Sequence, residues 1–173
     1  MTSSWTTPTV ITQYPEPGAE SVHVPWKENE FDSLTSLGIG SVSSNGTLVH
    51  LARSPKYDIT NSTYYIKATG YNFKLLPDVL SGIEFRFTTK RAGRITDDTI
   101  QLCSNDEPVG KNYADLDLGP IKVYGGAADM WDSSLTIADI INPLFGIIIR
   151  LKSHPHWPHK DTAFLQAMEI RIH

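Results

Sequence analysis

From Ile83 to Thr88 apolar and polar side chains alternate without a break, Ile83-Glu84-Phe85-Arg86-Phe87-Thr88. A period of two belongs to an extended strand with one face buried and one in water, because successive Cβ atoms of a strand point to opposite faces. The same device returns near the end of the chain, where Met168, Ile170 and Ile172 alternate with Glu169, Arg171 and His173. Two half-buried strands need a facing apolar layer, and the rest of the sequence offers further strands to supply it. Residues 47–52, 64–69, 82–90, 99–103, 121–124, 145–152 and 162–172 all read as short β-rich runs between turn clusters. The run Phe145-Gly146-Ile147-Ile148-Ile149 is apolar on both faces, as expected of a central strand covered from two sides.

Only residues 136–141 predict a helix. Thr136 is placed to cap the free amides, Asp139 follows three residues on, and Asn142-Pro143 stops the turn. The expected fold is therefore all-β: an antiparallel β-sandwich of jelly-roll or immunoglobulin-like type with one short helix. A chain of 173 residues builds one such domain. Its first 45 residues hold Pro8, Pro15, Pro17 and Pro25 among many Thr, Ser and Gly, which predicts an extended N-terminal arm over 1–45 and a sandwich over 46–173. Short strand pieces are expected within the arm at 9–12 and 21–24. Its aromatics Trp5, Tyr14, Trp26 and Phe31 need a surface to cover, either on their own domain or on a neighbouring subunit.

Charge and composition exclude several function classes. The net charge is −4 and the fifteen Lys and Arg are scattered, so the clustered cations that displace counterions from nucleic acid are missing. The longest apolar stretch, residues 145–151, is interrupted by Gly146 and Arg150 and is too short to span a bilayer. The start of the chain lacks the basic and apolar regions of a secretory signal, so Asn45-Gly46-Thr47 and Asn61-Ser62-Thr63 are read as turns rather than glycosylation sites. A single cysteine, Cys103, cannot form an internal disulfide and is expected to be a buried thiol.

The residues that carry chemistry in other proteins form no constellation here. His154, His156 and His159 with Asp161 place imidazoles near a carboxylate, but Pro155 and Pro158 stiffen the segment and alternating side chains of an extended chain point apart. A solvated hairpin loop is expected, with no metal and no cofactor. Asp97 and Asp98, Asp115 and Asp117, and Asp129 and Asp132 match no calcium motif and are assigned to turns, where Asp accepts bonds from backbone amides. No Gly-x-Ser-x-Gly elbow occurs, and Gly38-Ile39-Gly40 lacks the third glycine and helix of a phosphate loop. Trp157, Tyr113, Tyr124 and Trp131 lie on expected loops and form the alternative, a platform for polysaccharide.

One ordered set of motifs carries a family likeness. Leu76-Pro77, Ser81-Gly82-Ile83-Glu84-Phe85, Ile95-Thr96-Asp97-Asp98 with Ile100-Gln101-Leu102, Val109-Gly110-Lys111-Asn112-Tyr113-Ala114, Tyr124-Gly125-Gly126 with Asp129-Met130-Trp131, and Phe145-Gly146-Ile147 follow one another. Upstream, Trp26 and Ser43-Ser44-Asn45-Gly46 fit its opening. Over residues 26–173 the chain resembles a family of small tailed-phage virion proteins. It departs from that pattern at Asp132, where glycine is usual, and at its end, which lacks a closing tyrosine. The resemblance implies a non-enzymatic virion component, a capsid decoration or cement protein or an accessory of the tail, neck or baseplate. Such a protein forms homo-oligomers and binds other capsid or tail proteins. Trp5, Tyr14, Trp26, Phe31, Trp131 and Trp157 are the expected contact residues, with Gly110, Asn112, Gly125 and Gly126 shaping loops and Gly146 marking a close chain approach.

Overall fold

The computed structural model describes residues 3–14, 65–92, 95–115, 121–153 and 162–173. The described strands are β1 (Val10–Tyr14), β2 (Tyr65–Thr69), β3 (Ile83–Ala92), β4 (Ile95–Ser104), β5 (Glu107–Val109), β6 (Ile121–Gly125), β7 (Gly146–Ser153) and β8 (Thr162–Ile172), with helix α1 (Ile137–Ile140) between β6 and β7. They form a five-stranded sheet of order β1-β2-β7-β4-β5 and a three-stranded sheet of order β6-β3-β8, and every pairing is antiparallel.

From β2 onward successive strands alternate between the two sheets, except for the β4–β5 hairpin. The segment before β1 completes the second sheet: Thr6 and Ile170 exchange backbone bonds at 2.9 Å, and the Ser3 amide donates to the Ile172 carbonyl at 2.7 Å. The start of the chain thus flanks β8 and then, as β1, flanks β2. Together these give the interlocked Greek keys of a jelly roll. An immunoglobulin-type sandwich ends with two neighbouring strands in one sheet, whereas β7 and β8 lie in opposite sheets. The strand piece expected at 9–12 is present as β1, and residues 3–14 lie along their own domain as part of the sandwich; residues 15–45 lie outside the described residues, as does the expected strand at 47–52.

The core forms where the alternation places it. Ile83, Phe85 and Phe87 of β3 and Met168, Ile170 and Ile172 of β8 face Ile66, Ala68, Ile100, Leu102, Ile147, Ile149 and Leu151 of the other sheet, all buried. Each of these side chains except Ala68 contributes about 1.5–3 kcal/mol of burial. β7 is covered on both faces, since Ile148 packs with Cys103 and Tyr65 on the side away from the main core. Gly146 admits no side chain because a Cβ would collide with the Ala68 carbonyl of β2. A bulge between Asp97 and Thr99 re-aims β4, so that Asp97 and Ile100, three positions apart, both point inward. Helix α1 carries the full capping box, with Thr136 and Asp139 bonding each other's backbone amides.

Candidate functional site

Register fixes which features share an end of the sandwich. Val10 pairs with Thr69, Thr69 with Gly146, and Gly146 with Cys103, while Gly82 meets His173 beside Ile83. The β2–β3 loop (70–82), the β4–β5 turn and the β6–β7 connection (126–145) therefore gather at one end. They are tied there by the Gly70 amide donating to the Pro143 carbonyl at 3.0 Å and Thr9 Oγ1 donating to the Gly70 carbonyl at 3.0 Å.

Trp131, expected to reach a partner or a sugar, is wholly buried inside this end. Its indole Nε1 donates to the Ile83 carbonyl at 2.8 Å, its amide donates to Asp129 Oδ1 at 2.7 Å, and Tyr113 meets its ring edge-on at 4.7 Å. A Cβ on Gly125 would strike the indole, and one on Gly110 would strike the Trp131 carbonyl. The contact role assigned to Trp131 is corrected accordingly: it anchors the β6–β7 loop. Tyr113 donates to Asp129 Oδ2 at 2.5 Å, and that bond with partial burial and the charges of Asp129 and Asp132 pushes its phenol up to about 12. Asn112 shapes its loop through its side chain: Oδ1 accepts from the amides of Ile100 and Ala114 and staples the chain to β4.

Trp5 is also committed within the fold. Its ring lies 4.1 Å from the Arg86 guanidinium and 4.5 Å from that of Arg171. Arg86 Nε donates to Glu169 at 2.6 Å, Arg171 Nε to Glu84 at 2.7 Å, and His173 Nε2 lies 3.0 Å from Glu84. Burial raises the Glu84 carboxyl, but the bonds from His173 and Arg171 outweigh it and hold the group below its usual range. Tyr14 is the last residue of β1, opposite Tyr65. Trp26, Phe31, Trp157 and the His154, His156 and His159 loop lie outside the described residues.

The aspartates are more structural than their assignment to turns. Asp97 lies in a strand, fully buried, with Oδ2 accepting from Tyr124 Oη at 2.8 Å and 3.5 Å from Lys122 Nζ. Because Asp97 is on β4 and both partners on β6, this polar contact joins the two sheets. Tyr124, another proposed sugar platform, is buried too, its ring stacked on Phe85 and Phe87. Cys103 is buried as expected, and burial pushes its thiol up to about 12, away from nucleophilic use. Among the described residues no cluster of three His, Cys, Asp or Glu side chains converges on a metal-sized point, and no helix is long and apolar enough to cross a membrane.

What the loop end presents is apolar surface and a groove. Of the seven exposed large hydrophobics among the described residues, Val10, Leu75, Val79, Ile141 and Leu144 belong to this end, Val79 at 76% exposure; the others, Ile121 and Val123, lie on edge strand β6. Beside them a groove of about 380 Å³ is lined by the β4–β5 hairpin and the residues around α1. Sequence reasoning passed over these hydrophobics, although Leu75 and Val79 flank Pro77, and Ile141 and Leu144 flank Pro143, in segments too turn-rich to be core. Comparison with family models, curated proteins and solved structures finds no match for this chain.

Proposed function

We propose that the chain is a structural component of a tailed-phage virion, a capsid decoration or cement protein or a tail, neck or baseplate accessory, acting by stoichiometric assembly. The observation that carries this reading is the concentration of exposed apolar side chains on one end of the jelly roll, Val10, Leu75, Val79, Ile141 and Leu144. Apolar surface gathered in one place marks an interaction site, whereas singly scattered hydrophobics do not. Loops on a rigid β-scaffold are where binding usually resides. The jelly roll occurs in viral capsid proteins and also in lectins, so fold alone does not choose between them.

In this role the loop end seats against another capsid or tail protein, or against a further copy in a homo-oligomer, a setting supported by the resemblance of the motif order to tailed-phage virion proteins. The two exposed β-branched residues of edge strand β6, Ile121 and Val123, offer a lateral contact. Cryo-electron microscopy of purified particles, with mass spectrometry to identify the chain, tests the reading. Ordered density with the 70–82 and 126–145 loops against a neighbouring protein is the expected result. A particle preparation that lacks the chain overturns it.

A further inference from the structure

We propose that the groove between the β4–β5 turn and α1 is a binding site for a neutral, hydroxyl-rich ligand, a sugar residue, recognised by Ser104, Asn105, Asp132 and Ser134. The groove is about 380 Å³ and open to solvent on one side, within the range of small-molecule sites. Its apolar part comes from Val109 and Leu135, which suit the C–H face of a sugar ring.

The polar side chains carry the argument. Ser104 continues the inward face of β4 after Ile100 and Leu102, is 6% exposed, and has a buried Oγ with no hydrogen-bond partner among the described residues. Native folds rarely leave a buried hydroxyl unsatisfied, and a serine hydroxyl rotates to meet whichever donor or acceptor arrives. Asn105 accepts from Asn142 through Oδ1 at 2.7 Å, which leaves its amide nitrogen as a donor. Asp132 and Ser134 stand exposed on the rim.

These groups define the ligand class. One carboxylate accepts from paired hydroxyls, an amide and two serines complement it, and among the described residues no cation lines the groove to attract a phosphate or carboxylate. A metal ion fits poorly, because Asp139 is engaged in capping Thr136 and Asp132 is then, among the described residues, the single uncommitted carboxylate lining the groove. No buried aromatic is needed, so the site replaces the platform that Trp131 and Tyr124 cannot supply.

The test is an NMR titration of the full ¹⁵N-labelled chain with glucose, galactose, N-acetylglucosamine and rhamnose, each alone, in the presence of EDTA. Saturable shifts confined to amides of residues 104–110 and 132–135 with at least one sugar are expected. Asp132→Asn, which tolerates the same backbone, should weaken that binding about tenfold. Ser104→Ala should weaken it while leaving the melting temperature unchanged or higher, an outcome that a purely structural serine would not give. No shift at the highest soluble sugar concentration, shifts elsewhere on the chain, or unaltered affinity in Asp132→Asn would each overturn the site. The titration uses the isolated chain, so its result is independent of attachment to a particle.

Discussion

Trp131 and Asp132 both adopt left-handed backbone angles, φ +58° and +50°, and the Ser133 amide closes the turn onto the Met130 carbonyl at 3.0 Å. A bulky aromatic rarely takes that conformation, and here the burial of the indole, its bond to the Ile83 carbonyl and the bond from the Trp131 amide to Asp129 compensate for it. A glycine at position 132 would adopt the turn without strain. Tyr113, against the same indole, yields a pH prediction. Its phenol titrates near 12 in the folded chain through its bond to Asp129, against about 10 when unfolded. The native state therefore holds this proton more tightly, so the contribution to stability is complete below pH about 10 and is lost as pH rises through about 12. Buried Tyr71, raised mainly by desolvation, acts in the same direction. Urea unfolding between pH 9 and 12 should show falling stability, with a shallower fall in Tyr113→Phe; an identical slope in the variant would refute the assignment.

At the scale of elements, alternation and capping were legible because both are local. The period of two identified the buried faces of β3 and β8, and Thr136 with Asp139 and Pro143 located α1. The β4–β5 hairpin was not legible: its two-residue turn is Asn105-Asp106, both at positive φ, and Pro108 in β5 reads as a strand breaker although an edge position tolerates it. Asp97 was hidden for a different reason, since only the bulge in β4 and the facing β6 bring its carboxylate inside. The sequence left open whether the first residues cover their own domain or a neighbour, and backbone pairing to Ile170 and Ile172 makes them an edge of the smaller sheet. This alters what Trp5 is expected to do. Each of its contacts with Arg86 and Arg171 is worth about 0.5–1 kcal/mol. Trp5→Ala should thus lower the stability of the isolated chain by about 1–2 kcal/mol in urea unfolding. A Trp reserved for a neighbouring subunit would leave it unchanged.

For the whole molecule, the jelly roll separates the groups that hold the fold from those available to partners. The Trp131 anchor, the Asp97 contact between sheets and the Trp5 clasp all use their side chains internally, whereas the loop-end hydrophobics lie on segments fixed by backbone bonds and by Gly70, Phe145 and Trp131. Val79 and Leu144 are exposed, so replacing both by Glu removes no core packing, and surface substitutions of this kind usually change stability by less than about 0.5 kcal/mol each. In an assembly seated through this end, the same pair places two charges in a desolvated apolar contact, where an unpaired charge is strongly disfavoured. Val79→Glu with Leu144→Glu should therefore melt within about 3 °C of the native chain and fail to incorporate into particles when supplied in place of it, as judged by mass spectrometry of purified particles. An equivalent pair on the edge strand, Ile121→Glu with Val123→Glu, separates the two surfaces: incorporation lost there and retained in the loop-end variant would move the attachment surface to β6 and overturn the role given to the loops.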